Sequence, residues 1–163
     1  RLQRTVAAVE YTPQFSYVFA FDRPVSRPGG FYGLVNPKGM HPLSWISFEH
    51  DKPGHVRAGH SMIVVQTAPE WTADRLERDP DHFAPEVKEM AEDVLVSDLR
   101  HPEWYDAQRW RYARPKEAVN GDSVQAGMAL GLFLAGAYVC GRGRVDAALE
   151  TGFDAARQIR EAL

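Results

Sequence analysis

The residues best placed to do chemistry form one run, Leu132-Phe133-Leu134-Ala135-Gly136-Ala137-Tyr138-Val139-Cys140-Gly141-Arg142-Gly143-Arg144-Val145. Glycine lets a backbone approach a ligand closely, and the free amides at a helix start attract anionic oxygens such as those of a phosphate. An apolar strand, a glycine-rich turn and a helix is therefore an order on which a nucleotide can dock. The same order also serves as a plain tight connection, and spacing alone does not separate the two.

The remaining side chains carry weaker signals. Trp110 and Tyr112 alternate with Arg109 and Arg111, so on a strand the aromatics share one face and the arginines the other. The aromatics suit the wall of a substrate pocket that excludes water around a planar ligand, or simply a core. Arg109, Arg111 and Arg114 have the donors to clamp an anion, although alternating arginines usually mark a solvated face. His41, His50, His55, His60, His82 and His101 fall in turns or strand ends without the tight spacing of a ligand set, so no metal site is expected. His50 and His60 flank the Lys52-Pro53-Gly54 turn and could face each other. Cys140 beside a glycine reads as a small buried hydrophobe more readily than as a nucleophile. No Ser-His-Asp, Cys-His or paired-carboxylate arrangement can be read from the order of residues, and no catalytic residue is assigned.

The elements that must position these groups change character along the chain. Thr5 to Phe21 reads as two strands joined at Thr12-Pro13, and Phe31 to Val35 as a third, between turns at Pro28-Gly29-Gly30 and Asn36-Pro37-Lys38-Gly39. Leu43 to Glu49 carries large apolar groups on both faces, the pattern of an interior strand, and His60 to Thr67 has the β-branched density of a buried one. Thr72 can cap a short helical turn through Leu76. Pro85 opens a helix to about Ser97, with Val87, Met90, Ala91, Val94 and Leu95 on one stripe. Arg109 to Ala113 is a further strand, Lys116 to Ser123 a polar loop, and Leu130 to Cys140 a final strand. A closing helix follows, with Val145, Ala148, Leu149, Gly152, Ala156 and Ile159 as its apolar stripe. The fold class expected is α+β: an antiparallel or mixed sheet covered by helices, with a C-terminal strand, turn and helix. The division expected is 1–115 for the sheet and its helices, and 116–163 for the C-terminal unit.

The 163 residues, 44% hydrophobic, suffice for a sizeable core. A net charge of −3 favours neither a nucleic-acid backbone nor an anionic membrane as partner, which leaves small molecules or proteins. The longest apolar run, Met128 to Cys140, is shorter than the roughly 20 residues of a membrane-spanning helix. A single cysteine excludes an intrachain disulfide and favours a reducing, cytoplasmic setting. The chain begins at Arg1 without a methionine or a signal-peptide pattern, which fits a start inside a longer protein or a processed one.

The glycine run resembles the C-terminal flavin-contacting segment of FAD-dependent oxidoreductases of the renalase-like, flavin-containing amine oxidase group. Gly136, Tyr138, Gly143-Arg144-Val145 and Thr151-Gly152 stand in the matching places. Pro42-Leu43-Ser44-Trp45-Ile46, Lys52-Pro53-Gly54, Ala68-Pro69-Glu70-Trp71 and Arg109-Trp110-Arg111-Tyr112-Ala113-Arg114-Pro115 follow the family's order upstream, so the likeness covers nearly the whole chain. It implies FAD as cofactor, with Gly136, Gly143, Arg144 and Val145 on the cofactor side and Trp110 and Tyr112 in the substrate pocket. It implies a flavin that oxidises a small amine or nicotinamide-like molecule, with the protein supplying position and a dry pocket. Two departures stand out: Ala137 replaces the family's acidic residue after the glycine, and no GxGxxG turn occurs to hold a pyrophosphate. The resemblance therefore implies an N-terminal dinucleotide-binding half as partner, in cis or in trans. Apolar surface left without that half would favour association, a homodimer included. The alternative reading is a non-catalytic ligand-binding or protein-interaction domain without bound flavin.

Overall fold

A computed structural model describes residues 2–27, 29–37 and 39–162. Arg1, Leu163, Pro28 and Lys38 lie outside the described residues, the last two within turns expected from the sequence. The elements, in order, are α1 (Leu2–Ala7), β1 (Tyr11–Phe21), β2 (Gly33–Val35), β3 (Leu43–Phe48), β4 (Ser61–Thr67), α2 (Pro69–Ala73), α3 (Ala84–Leu95), β5 (Trp104–Pro115), α4 (Gly121–Met128), α5 (Ala137–Cys140) and α6 (Val145–Ala162). Short 3-10 turns occupy Glu49–Asp51 and Pro80–Phe83. Helices and one sheet of order β2-β3-β4-β1-β5 make the α+β fold expected from the sequence.

Two compact units divide the chain: Pro13–Trp110 is one, and the other joins the residues up to Thr12 with those from Arg111 onward. The cut passes through β1 and β5. A linear reading has no way to assign the first residues to the C-terminal unit, because that assignment rests on contacts across more than a hundred positions. Within this unit α1 packs on α4, and Ser123 Oγ donates to Thr5 Oγ1 at 3.2 Å.

The larger unit is built on strand alternation. Phe15, Tyr17, Phe19 and Phe21 all point to one face of β1, and every one is buried. Ile63 and Val65 of β4 and Ile46 and Phe48 of β3 join them, covered by Val87, Ala91 and Leu95 of α3. β4 pairs antiparallel with β1, Ser16 opposite Gln66 and Phe21 opposite Ser61, and β3 pairs antiparallel with both β4 and β2. β3 is thus interior, as its two-sided apolar pattern implies. The sheet's other face presents Ser16 and Val18 of β1, Met62, Val64 and Gln66 of β4, and Trp45 of β3, all half-buried.

A polar network closes the strand ends. Gln14 Nε2 donates to Ser44 Oγ (3.1 Å) and to the Thr67 carbonyl (3.2 Å). The Phe15 amide donates to Thr67 Oγ1 (3.1 Å), which lies 2.6 Å from Thr72 Oγ1. Tyr17 Oη donates to the Pro80 carbonyl at 2.9 Å, and burial pushes that phenol's pKa up.

Several expectations are corrected. Thr5 to Val9 is no strand: α1 occupies Leu2–Ala7, and β1 runs unbroken from Tyr11 through Pro13. Pro13 is tolerated because β1's pairing with β4 begins only at Ser16, so its missing donor breaks no bond there. Thr72 does not cap α2; it lies inside that helix, fully buried, and donates back to the Ala68 carbonyl at 2.9 Å. The polar loop from Lys116 runs only to Asn120, whose side chain accepts the Ser123 amide and starts α4. Leu130 to Cys140 forms no strand: Gly131 and Gly136 take positive φ of 74° and 128°, and α5 begins at Ala137. An apolar run becomes a strand only by pairing, and no described strand neighbours this one. The turn and the long C-terminal helix after it are present as expected.

Candidate functional site

In the C-terminal unit the glycines serve the chain's own packing. Gly141 has φ of +69°, and a Cβ there would lie 2.5 Å from the Ala118 nitrogen. A Cβ on Gly143 would lie 2.4 Å from Arg114 Cγ. Both positions demand glycine because the turn presses against residues 114–118. Gly136 takes φ of 128°; its amide donates to Thr151 Oγ1 at 2.9 Å, and Thr151 Oγ1 donates to the Ala148 carbonyl at 2.8 Å. Thr151 of α6 thus clamps the turn, a role the Thr-Gly pair in the sequence does not reveal.

Arg144 and Val145 point elsewhere. The Arg144 guanidinium grips Asp146 in a fork, Nε to Oδ1 at 3.0 Å and an Nη to Oδ2 at 2.8 Å, and this holds the Asp146 carboxyl below its usual range. That carboxylate also accepts backbone hydrogen bonds from its own first turn, so the start of α6 already carries an anionic group. Val145 is 87% exposed. It opens a stripe with Leu149 (57%) and Phe153 (67%) at four-residue spacing, and Leu130 and Leu132 are exposed in the same unit. The buried residues of α6 are Ala147 and Ala155, off the stripe read from the sequence. The sequence locates the helix but assigns its apolar side to the interior; in this chain that side is open.

Tyr112, 76% exposed, packs edge-to-face on Tyr11 with ring centres 5.5 Å apart. Tyr138 has its pKa raised by burial, with a smaller contribution from Tyr11. Cys140 is half-buried, and its Sγ lies 3.4 Å from the Ala137 carbonyl.

In the larger unit Trp110 is 54% exposed, so it is no core residue. Arg109 belongs to the opposite face of β5 and donates to the Arg78 carbonyl at 2.7 Å; its Nε is buried with no hydrogen-bond partner. Arg75 and Arg78 lie over Phe83, 5.7 and 4.6 Å from the ring centre, so these guanidiniums are held by aromatic packing. His50 and His60 both line one cavity beside the hairpin. Among the described residues no group of three or more His, Cys, Asp or Glu side chains is disposed to hold a metal ion, and no helix is long and apolar enough to cross a membrane.

Residues 1–160 match the model of the family described as flavin containing amine oxidoreductase. The chain belongs to this family. Solved structures agree at the level of the fold. A proposed protoporphyrinogen oxidase from Exiguobacterium superposes with a TM-score of 0.75 at 15% identity, over 99% of this chain and 36% of that one. A reduced UDP-galactopyranose mutase gives 0.67 at 9% identity, over 98% and 35%. An oxidoreductase from Methanosarcina mazei gives 0.55 at 15%, over 95% and 36%. The chain of this amine oxidoreductase family member therefore spans about a third of the length of the structures it resembles.

The residues present fit the family's flavin in part. The α6 stripe offers apolar surface to a flat ring system. A grip on the pyrophosphate is not among these groups: the Gly136 amide is taken by Thr151, and Asp146, paired with Arg144, already accepts the backbone hydrogen bonds at the start of α6.

Proposed function

We propose that this chain is the substrate-side and C-terminal part of an FAD-dependent oxidoreductase that oxidises a small amine or nicotinamide-like molecule. The observation that carries the reading is the open stripe Val145, Leu149 and Phe153, in a family member spanning about a third of the structures that share its fold. Three large apolar side chains at i, i+4 and i+8 form a helix face that calls for a partner. The family's N-terminal dinucleotide-binding half, in cis or in trans, is the partner of the right kind. When bound, FAD supplies the hydride acceptor. The chain's own residues do the rest. Val18, Met62 and Val64 on the half-buried sheet face, with Trp110, form an apolar wall that excludes water, and Ser16 and Gln66 supply hydrogen bonds that orient a polar substrate. Gly136 and Gly143 shape the turn, while Arg144 and Val145 stand at the end of α6 where the cofactor-bearing half would meet it.

The test is absorbance of the full-length gene product and of this chain alone, purified identically. Oxidised-flavin bands in the longer protein only are the expected result. Absence of flavin from both, even after added FAD, would sink the oxidoreductase reading. It would then favour a non-catalytic ligand-binding or interaction domain, a reading supported by Ala137 and by the Asp146 carboxylate at the first turn of α6.

A further inference from the structure

The hairpin between β3 and β4 forms, with the segment after β1, an open cavity of about 420 Å³. Its size falls within the roughly 300–1,000 Å³ of small-molecule sites. Arg27, His50, Arg57 and His60 line it, and every ionisable side chain of that lining is a cation or an imidazole. The acidic residues of the adjoining 3-10 turn are already engaged. Asp51 is ion-paired with Arg27, while Glu49 accepts from Lys52 Nζ (2.7 Å), Ser47 Oγ (2.9 Å) and His55 Nδ1 (3.2 Å). Among the described residues no carboxylate pairs with Arg57, which is exposed and supplies the uncompensated charge.

Part of the wall is held by contacts of its own. Arg27 lies over the Phe48 ring at 4.9 Å, and the Val25 amide donates to the buried Ser61 Oγ at 2.8 Å, tying the segment after β1 to the start of β4. His50 Nδ1 lies 3.3 Å from both the amide and the carbonyl of Met62; the tautomer that accepts from the amide carries its hydrogen on Nε2. His60 Nδ1 lies 3.2 Å from the Ala58 carbonyl, which can only accept, so Nδ1 carries the hydrogen and Nε2 is left as an acceptor to meet a ligand.

We propose that this cavity binds a phosphate group carried on a small organic molecule. The Arg57 guanidinium, the Arg27 donors that Asp51 leaves free and the His50 Nε2 hydrogen offer more donors than a two-oxygen, singly charged carboxylate can use, while His60 Nε2 accepts the hydrogen of a singly protonated phosphate. A phosphate presents three acceptor oxygens and about −1.5 to −2 charges. The site is independent of the flavin reading, since none of its residues belongs to the C-terminal turn or to the open sheet face.

The experiment is calorimetric titration of the full-length protein with inorganic phosphate, acetate and glycerol 3-phosphate at matched ionic strength, repeated with Arg57→Ala and His60→Ala. Saturable phosphate binding is expected, at least about ten-fold tighter than acetate, with the ester binding at least as well as phosphate. Each substitution weakens phosphate by about ten-fold or more and leaves the melting temperature and flavin absorbance unchanged, because both side chains lie outside the core. Phosphate that fails to saturate the protein, or binds Arg57→Ala as it binds the parent, overturns the proposal. Flavin content is read on the same samples, so failure here leaves the oxidoreductase reading standing.

Discussion

Glycine-141 shows how little tolerance a single position can have. Its φ of +69° and the 2.5 Å approach of a virtual Cβ to the Ala118 nitrogen penalise any side chain twice, through backbone strain and through overlap with backbone that cannot step aside. Gly141→Ala is expected to cost about 1–3 kcal/mol, read as a lowered urea midpoint with an unchanged slope. Thr67 is constrained differently: its hydroxyl serves the Phe15 amide and Thr72 in a fully buried setting. Thr67→Val strands the Phe15 amide, while Thr72 keeps its bond to the Ala68 carbonyl, and about 1–3 kcal/mol of stability is expected to be lost. Glu49 ties the hairpin to pH. Burial would raise its carboxyl pKa, but hydrogen bonds from Lys52, Ser47 and His55 outweigh that and hold it lowered. A carboxyl with a depressed folded pKa contributes stability above its unfolded value and loses it as pH falls through the folded one. Between about pH 5 and pH 3 the parent should therefore lose stability more steeply than Glu49→Gln, a difference that denaturation midpoints across that range will show.

The elements owe their order to alternation and to one amphipathic stripe. β1 turns four aromatics to one side, and α3 answers with Val87, Ala91 and Leu95, all fully buried. Leu95→Ala removes a side chain with no freedom to collapse around it, and about 2–5 kcal/mol is expected to be lost in equilibrium unfolding. That helix was legible because its period and its proline both survive in the linear sequence, and its end at Leu95 follows from Val96 adopting a left-handed φ of 49°. α1 and α4 were not legible. α1 was hidden by β-branched residues at Thr5 and Val6, and α4 by glycines at Gly121 and Gly127 that weaken its local preference. Their mutual packing supplies what propensity does not.

For the molecule as a whole, what matters is the surface it leaves open. Val145, Leu149 and Phe153 contribute little to the chain's own stability, because water already surrounds them. A Leu149→Ser, Phe153→Ser double variant should therefore leave the melting temperature of this chain within about 1–2 °C of the parent while stripping flavin from the full-length protein. Equal losses in both would show that the stripe is internal core. An unchanged flavin content would show that it meets no cofactor-bearing half, and a switch from dimer to monomer in size-exclusion chromatography would assign it to self-association instead.

The sequence by itself determined the α+β class, the interior place of β3, the helix after Pro85, the long C-terminal helix and the family, because period-2 and period-3.6 patterns and a handful of ordered motifs are local properties of a chain. Only the tertiary structure decided which side of α6 is covered, that Gly141 and Gly143 are pressed against residues 114–118, that Thr151 holds Gly136, and that His50 and His60 share a cavity with Arg27 and Arg57. The reason is physical. A stripe says that a face is apolar but not what lies against it, and a glycine says that a close approach is allowed but not which backbone makes it. Those answers belong to partners far away in the chain, and they exist only once the chain has folded.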